Sequence, residues 1–412
     1  MKNIAANAKS AFYEISRLNA NDKNNILKTI KSELSFRKDS ILKENLKDVA
    51  AAKQKNLNSA LIDRLTLTEE RILKIADSID EIIALEDPAG EISSVKIRPS
   101  GIKVGKMRVP IGVILIIYES RPNVTIDSAV LCIKAGNAVI LKGGSESINT
   151  NRILTEIIKS ALSNNKLNPD IVSFADTADR SKINELLKLN QYIDLVIPRG
   201  GEGLIRAVVE NSTIPVIKHY KGVCHTYIDN EFDSNIYLDI IYNAKVQRPG
   251  VCNAMETLLI HKDIAEATLP VIKKTYDGAN VQLFGCENTL KILNGISPAT
   301  EDDWYAEYLD LKLAIKIVDN IDAAIFHINK YGSRHSDAII TSNYNNAHKF
   351  LREVDSAAVF VNASTRFSDG GEFGLGAEIG ISTDKLHARG PMGIKELTSE
   401  KFIVYGSGQI RK

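Results

Sequence analysis

Residues 112–118 read GVILIIY, a short apolar run without alternating polar residues. Four similar runs follow: AVIL at 138–141, DIVSF at 170–174, DLVI at 194–197 and IPVI at 214–217. Strands that are covered on both faces have this pattern, which is typical of a parallel sheet. The intervening segments predict helices over residues 124–135, 149–163, 180–189 and 202–211. The sequence therefore predicts an α/β fold with a doubly wound, parallel-sheet cofactor domain.

The segments on either side of this region have different patterns. The first ninety residues carry apolar positions at helical spacing, such as Ile26, Leu27, Ile30 and Leu34. Residues 93–110 alternate β-prone and basic residues around a Pro-Ser-Gly turn, which predicts an exposed hairpin. The C-terminal sequence KFIVYGSGQIRK, residues 401–412, predicts a strand that is too isolated to be stable alone. We expect it to pair with the hairpin of a neighbouring subunit in a small β oligomerisation flap.

A second α/β block follows a predicted helix over residues 234–246. We therefore expect a cofactor domain over residues 1–246, with the hairpin 93–110 in the flap, and a catalytic domain over residues 247–373. Residues 374–412 form the predicted C-terminal return and oligomerisation strand. Pairing through this flap predicts a homo-oligomer, and the sequence does not distinguish a dimer from a higher assembly.

Composition excludes several classes of partner. The 412 residues contain 52 Lys and Arg against 51 Asp and Glu, so the chain has no basic field for nucleic acid. The longest apolar run is too short to span a membrane, and the N-terminal sequence does not resemble a signal peptide, so we expect a cytoplasmic protein. The four cysteines lie far apart and form no CxxC pair, so neither disulfides nor a metal site is expected.

Two glycine turns follow predicted strands of the cofactor domain. Lys142 ends the strand AVIL and is followed by Gly143, Gly144 and Ser145, and a second turn contains Gly200 and Gly201. Backbone amides at such turns can bind ribose or phosphate oxygens of a nucleotide, although the pattern is not GxGxxG. The alternative is that these glycines only form turns.

Cys252 is the candidate nucleophile. It lies in a predicted loop between a helix and a strand, after Arg248-Pro249-Gly250. The other three cysteines occur in apolar or strand-like stretches, where a cysteine is an ordinary core residue. Taken alone, Cys252 also permits that second interpretation.

Longer motifs resemble a known family. PIGV at 110–113, AGNAVILK at 135–142, the loop around Cys252 and GLGAEIG at 374–380 resemble the aldehyde dehydrogenase superfamily. A narrower resemblance runs end to end and is to the gamma-glutamyl phosphate reductases. It rests on YESRPNVT at 118–125, KGGSE at 142–146, IPRGGEGL at 197–204, KHYKGVCH at 218–225, QRPGVCNAMET at 247–257 and residues 369–393.

This resemblance implies an enzyme of proline biosynthesis. The expected reaction is NADPH-dependent reduction of L-glutamyl 5-phosphate to L-glutamate 5-semialdehyde, with release of phosphate, through a thioester on Cys252. Such a nucleophile requires a thiolate, so we expect surroundings that lower the pKa of Cys252. The kinase that makes the acyl phosphate, glutamate 5-kinase, is an expected partner.

The resemblance also implies roles for individual residues. Asn123 is the expected donor to the oxyanion, with a simple turn residue as the alternative. Lys142 to Glu146 and the Gly200-Gly201 turn are expected to bind the cofactor, and Glu307 its nicotinamide ribose. Glu146 would repel a 2′-phosphate, so the residues leave NADPH and NADH open.

The glutamyl group and phosphate need cations and clustered amides. Arg121 and the loop containing Ser364, Thr365 and Arg366 are the predicted substrate-binding residues. His219 is added to them, and Lys221 and His225 could also assist phosphate. The alternative for each histidine and lysine is an ordinary solvated side chain.

One departure from the superfamily is informative. Aldehyde-oxidising members carry a Glu general base before a Gly-Gly pair, whereas the corresponding residues 218–222 read KHYKG. A reductase should avoid a base that activates water against its thioester, so the missing Glu favours reduction. The rival hypotheses are another oxidising or acylating aldehyde dehydrogenase, and a non-catalytic scaffold.

Overall fold

The computed structural model describes residues 1–411, which form two compact units. The first contains residues 1–218, 374–380 and 392–411, and the second contains residues 219–373 and 381–391. The predicted C-terminal segment 374–412 is therefore shared between both, and Lys412 lies outside the described residues.

The helices and strands are numbered in chain order. The α-helices are α1 (Lys2–Ile15), α2 (Ala20–Phe36), α3 (Lys38–Gln54), α4 (Ser59–Leu65), α5 (Glu69–Ala84), α6 (Asn123–Lys134), α7 (Ile148–Asn164), α8 (Arg180–Leu186), α9 (Glu202–Asn211), α10 (Tyr237–Val246), α11 (Lys262–Asp277), α12 (Glu287–Ile292), α13 (Glu301–Trp304), α14 (Ile321–Tyr331) and α15 (Tyr344–Glu353). The strands are β1 (Ile92–Ile97), β2 (Lys103–Pro110), β3 (Val113–Tyr118), β4 (Ala138–Lys142), β5 (Val172–Phe174), β6 (Leu195–Arg199), β7 (Cys224–Ile228), β8 (Met255–His261), β9 (Gln282–Gly285), β10 (Ser297–Pro298), β11 (Lys312–Val318), β12 (Ser336–Ile340), β13 (Ala358–Val361), β14 (Gly380–Ser382), β15 (Gly390–Met392) and β16 (Thr398–Tyr405).

The first unit contains a parallel sheet in the order β5-β4-β3-β6. Every residue of β3 is buried, as the continuous apolar run predicts. Residues of α1, α8 and α9 share one apolar core with β3, β4 and β6, whereas α6 and α7 also pack against the sheet and against each other. The predicted doubly wound α/β architecture is confirmed.

One predicted strand of this sheet does not form. The segment IPVI, residues 214–217, makes a single parallel bridge between Val216 and Val196 of β6. Pro215 accepts a hydrogen bond from Val196 but has no backbone N–H to donate, so a regular ladder does not continue through it. The prediction of a fifth strand was wrong.

A separate antiparallel sheet in the order β1-β2-β16 belongs to the same unit. The predicted hairpin is confirmed as β1 and β2. However, β16 pairs with β2 along its whole length within the same chain, from Thr398 opposite Pro110 to Tyr405 opposite Lys103. The expectation that this strand pairs with a neighbouring subunit was wrong, because its own chain supplies the ladder.

The second unit has a parallel sheet in the order β10-β9-β11-β8-β7-β12-β13. Helices α10 and α11 share one apolar core with this sheet, and α14 and α15 share another. Because β7 and α10 belong to this unit, the division falls after Lys218 rather than after residue 246 as expected. Strand β7 joins the new sheet by pairing with β8 and β12.

Candidate active site

The loop that carries Cys252 connects α10 to β8 and is fixed by its backbone. Cys252 is partly exposed, whereas Cys224, at the start of β7, is fully buried and donates its thiol to the Cys252 carbonyl oxygen at 3.2 Å. Gly222 packs against the same peptide, because a Cβ at that position would lie 1.9 Å from the Cys252 oxygen. The Cys252 backbone thus has little room to move on this side.

The other cysteines do not match this setting. Burial raises the pKa of Cys132 in α6 and that of Cys224 well above their usual range, which disfavours the thiolate. Cys286 is partly buried, and its sulfur lies 3.3 Å from the Thr289 hydroxyl at the start of α12. Cys252 remains the candidate nucleophile.

Asn253 joins the Cys252 loop to the predicted substrate loop. Its side-chain amide donates to the Ser368 carbonyl at 3.0 Å, and its side-chain oxygen accepts a hydrogen bond from the Arg366 guanidinium. The Thr365 hydroxyl donates to the Asn253 carbonyl at 2.7 Å. Sequence analysis missed Asn253. This residue brings Arg366 and Cys252 into one region of the second unit.

The members of the predicted substrate loop differ in exposure. Arg366 is partly exposed, and burial together with the nearby Arg248 lowers its pKa. Ser364 and Thr365 are buried, the first accepting the Arg366 backbone N–H and the second bonded to Asn253. Arg366 is therefore the member of this loop best placed to meet a substrate.

Glu307 lies in the loop between α13 and β11, where its Oε1 accepts the backbone N–H of Gly222 at 2.7 Å. This contact connects the predicted ribose ligand to the glycine that packs against Cys252. The next residues of the loop are also anchored, because the Leu309 N–H donates to Glu256 Oε1 at 3.3 Å. Sequence analysis did not identify Glu256, because a single Glu near the start of a strand resembles an ordinary surface residue.

The histidines of the KHYKGVCH motif are not simply solvated. His219 is half-buried, with its Nδ1 at 3.1 Å from the Ile381 carbonyl oxygen. His225 is fully buried in β7, and its Nδ1 lies 2.9 Å from Asp337. The expectation that His225 could meet phosphate, or else lie in solvent, was wrong because β7 directs it into the interior. Lys221 remains half-buried at the approach to β7.

The first unit contains a cavity of about 750 Å³ at the carboxyl ends of β3 and β4. Lys142, Gly144 and Glu146 of the KGGSE motif contribute to its wall. Sequence analysis missed the other lining residues, which include Leu57 from the connection between α3 and α4, Leu61 from α4, and Ser120, Arg180, Asn184, Gly203, Leu204 and Asn211. A long cleft at this edge of a doubly wound sheet is where a nucleotide binds in such folds.

The carboxylate of Glu146 is held in the cavity wall by hydroxyl groups. Ser120 and Ser145 donate to it at 3.1 and 3.2 Å. Burial opposes the charge, but these hydrogen bonds and its own backbone lower the pKa of Glu146 overall. Burial lowers the pKa of Lys142, whose ammonium donates to the Gly143 carbonyl.

The remaining predicted glycines do not line the cavity. Gly143 packs against Asn151, whose side-chain nitrogen would lie 2.0 Å from an added Cβ. Gly200 packs against the Glu119 side chain, which would lie 2.6 Å away. These positions therefore need glycine for close packing, and neither they nor Ser145 and Gly201 are among the lining residues.

Asn123 is the first residue of α6 and not a turn residue. Its side-chain amide donates to Asp127, one helical turn later, at 3.0 Å. Burial raises the pKa of Asp127 to about 6, although Asn123 and the nearby Arg199 oppose the shift. Arg199 also lies 3.6 Å from Glu378 of the GLGAEIG motif. The exposed Arg121 lies two residues before the first residue of α6.

The described residues offer neither a metal-binding cluster nor a membrane-spanning helix. Among residues 1–411, no group of three or more His, Cys, Asp or Glu side chains is arranged to hold a metal ion. Over the same residues, no helix combines the length and the apolarity that a membrane span requires.

Comparisons with known proteins identify the family of this chain. The model of the aldehyde dehydrogenase family matches residues 1–283. A gamma-glutamyl phosphate reductase of Thermodesulfovibrio yellowstonii is 55% identical over 410 residues, covering 100% of this chain and 98% of that protein. One of Clostridium perfringens is 54% identical over 404 residues, covering 98% and 97% of the two chains.

Solved structures show the same relationship. The crystal structure of gamma-glutamyl phosphate reductase from Thermotoga maritima aligns with a TM-score of 0.98 and 45% identity, covering 100% of this chain and 99% of that one. An acetylating aldehyde dehydrogenase from Geobacillus thermoglucosidasius shares the fold at a TM-score of 0.70 and 16% identity, with 100% and 97% of the chains covered. The chain therefore belongs to the aldehyde dehydrogenase family of oxidoreductases, and within it to the gamma-glutamyl phosphate reductases.

Proposed function

We propose that this enzyme uses NADPH to reduce L-glutamyl 5-phosphate to L-glutamate 5-semialdehyde and phosphate, in proline biosynthesis. The observation that carries the proposal is the partly exposed Cys252, on a loop whose backbone is fixed by Cys224 and Gly222. The names of the relatives supply the substrate. A cysteine in this position can form the thioester that an acyl phosphate reductase needs.

The residues of the first unit fit a nicotinamide dinucleotide. The cavity joins apolar walls, suited to an adenine ring, with polar groups at Lys142, Glu146 and Asn184 that can bind ribose hydroxyls. Gly203, in the first turn of α9, has open space where a Cβ would be, so a ligand can approach the backbone there. We propose NADPH as the cofactor, with Arg180 in the cavity as a partner for its 2′-phosphate.

The proposed reaction has two covalent stages. The Cys252 thiolate attacks the acyl carbon, the carbon–sulfur bond forms, and the bond to the phosphate oxygen breaks. The cofactor supplies the hydride that converts the thioester to a thiohemiacetal. The oxyanion of the thiohemiacetal then re-forms the carbonyl double bond while the carbon–sulfur bond breaks, which releases the aldehyde and restores the Cys252 thiolate.

Negative charge develops on the acyl oxygen at each addition, so fixed donors must meet it. We assign this task to the Cys252 backbone N–H and to Asn123, whose amide is oriented by Asp127. Glu307 is proposed to hold the nicotinamide ribose. Arg366 is proposed to bind the amino-acid or phosphate group of the substrate, with Arg121 and His219 as further ligands.

We also propose that the enzyme is a cytoplasmic homo-oligomer. The sheet β1-β2-β16 exposes large apolar side chains on one face, including Phe402 at 71% and Val404 at 58% exposure. An apolar face of this kind suits pairing with the same sheet of a second copy. Functional coupling to glutamate 5-kinase remains a prediction, because its product is the labile acyl phosphate.

The proposal is tested in the reverse direction. We expect NADP⁺ to be reduced by glutamate 5-semialdehyde only when phosphate is present, and Cys252→Ala to abolish the reaction. Cys286→Ala is the matched control, since this partly buried cysteine is expected to be dispensable. Turnover without phosphate would instead indicate hydrolytic aldehyde oxidation, and loss of activity in the Cys286 variant alone would reassign the nucleophile.

A further inference from the structure

An ion pair with no exposed surface closes the loop that carries Cys252. Lys245 lies in the last turn of α10 and Glu256 is the second residue of β8, so they occupy the two ends of the connection. Lys245 Nζ lies 2.5 Å from Glu256 Oε2, and both side chains are 0% exposed. The chain between them contains the nucleophile.

The second oxygen of Glu256 anchors another loop. It accepts the backbone N–H of Leu309 at 3.3 Å, two residues after Glu307. Leu309 has φ of 52°, a left-handed conformation that a leucine adopts only where its surroundings hold it. Lys245 also lies 5.9 Å from the centre of the Tyr308 ring. Glu307 in turn accepts a hydrogen bond from Gly222. The consecutive residues Glu307, Tyr308 and Leu309 therefore each contact a residue outside their own loop.

These contacts form a closed ring. It runs from Lys245 to Glu256, along the Glu307 loop to Gly222, and from Gly222 to the Cys252 peptide against which it packs. The remaining side is the covalent chain from Cys252 back to Lys245. The ion pair is thus connected through this ring to both the Cys252 loop and the proposed ribose ligand.

Stability alone does not account for this ion pair. Removing two charges from water is costly, and a well-packed apolar pair of similar volume is often equally stable or more stable. Burial lowers the pKa of Lys245 and raises that of Glu256 against the attraction between them, which reflects this cost. A directional contact such as this ion pair, unlike an apolar contact, can fix the position of one loop relative to another.

We propose that Lys245 and Glu256 are positioning residues, which hold the Cys252 loop and the Glu307 loop in the geometry required for hydride transfer. The inference deepens the proposed function and rests on it for the role of Glu307. Neither side chain touches the reacting atoms, because both are fully enclosed and act through the backbone of the two loops.

The test replaces the pair by an apolar pair of similar volume, Lys245→Met with Glu256→Met. We expect the thermal midpoint to remain near that of wild type, while kcat falls by about 10- to 100-fold, because small misplacements of reacting groups are this costly. KM for NADP⁺ should rise, since the Leu309 anchor is lost. The rate at which iodoacetamide alkylates Cys252 should change as well.

A second double variant separates the two anchored loops. Lys245→Met with Glu256→Gln keeps a carbonyl oxygen for the Leu309 N–H, so KM for NADP⁺ should return toward the wild-type value. The matched control is Lys23→Met with Asp87→Met, which removes a buried pair at 2.7 Å in the first unit. It should leave kcat unchanged when folded protein is compared.

Several outcomes would overturn the proposal. These are wild-type kcat and KM in the apolar variant, equal KM in the two double variants, or activity lost only in proportion to unfolded protein. The alkylation rate is independent of turnover. If the wild-type enzyme lacked phosphate-dependent activity, the proposed function would be wrong. An unchanged alkylation rate in the apolar variant would, on its own, refute the positioning role of Lys245 and Glu256.

Discussion

The closest packing at the candidate site predicts a large effect for a single methyl group at Gly222. In Gly222→Ala, the new Cβ would lie 1.9 Å from the Cys252 oxygen and 2.5 Å from both its carbonyl carbon and its Cα. Non-bonded heavy atoms prefer about 3.5 Å, so one of the two backbones must move by about 1.5 Å. Gly222 has no positive φ, so the expected effect of the alanine comes from this clash and not from backbone strain.

We expect this variant to fold with a loss of about 1–3 kcal/mol, as for other overpacked sites. The kcat of phosphate-dependent NADP⁺ reduction should fall by about 100-fold, because a displacement of this size removes the reactive geometry. Gly250→Ala is the matched control in the Cys252 loop, since its Cβ would lie 3.7 Å from the Leu309 oxygen, an ordinary contact. Wild-type kcat in the Gly222 variant would refute the reasoning.

Three further predictions concern the first unit. Glu146→Gln should raise kcat/KM for NADPH relative to NADH severalfold, since it removes from the cavity wall a carboxylate that would repel the 2′-phosphate. An unchanged ratio in steady-state assays would exclude Glu146 from cofactor selection. Asp127 has a folded pKa raised to about 6, against about 3.9 when unfolded, so the free energy of unfolding should fall by up to about 3 kcal/mol as pH rises from about 4 to 6. Asp127→Asn should abolish this slope in urea titrations, and an equal slope would assign it to another group. Phe402→Glu should shift the oligomer toward smaller species in light scattering, because it charges the exposed apolar face.

The fold was largely predictable because its signals are local. The buried strands β3, β4 and β6 are continuous apolar runs, and the helices between them begin and end near the expected residues. The errors arose where tertiary pairing decides the outcome. Pro215 interrupts a run that otherwise resembles a strand, and β16 finds its partner in β2, almost 300 residues earlier in the chain.

The candidate site was predictable only in part. Cys252 belongs to a distinctive motif, whereas Arg366 was predicted from the composition of its loop and Glu307 from its position in the chain. The structure joins their loops through Asn253 and Gly222. The connecting residues were missed because Asn253 and Glu256 look like ordinary polar residues beside a strand. Their role depends on partners that are more than fifty residues away, such as Leu309, and no local pattern reports such contacts.

The surroundings of the Cys252 loop also bear on why a thioester would survive there. The Glu base of aldehyde-oxidising relatives is replaced by the KHYKG segment, so another group would have to activate water. Glu256 is unsuited to that task, because it is fully enclosed and its two oxygens are bonded to Lys245 and Leu309. Glu307 Oε1 accepts the Gly222 N–H at 2.7 Å, so this oxygen also has a partner within the protein. Both carboxylates beside the Cys252 loop therefore hold backbone groups of neighbouring loops, an arrangement that suits the proposed reduction of a thioester better than its hydrolysis.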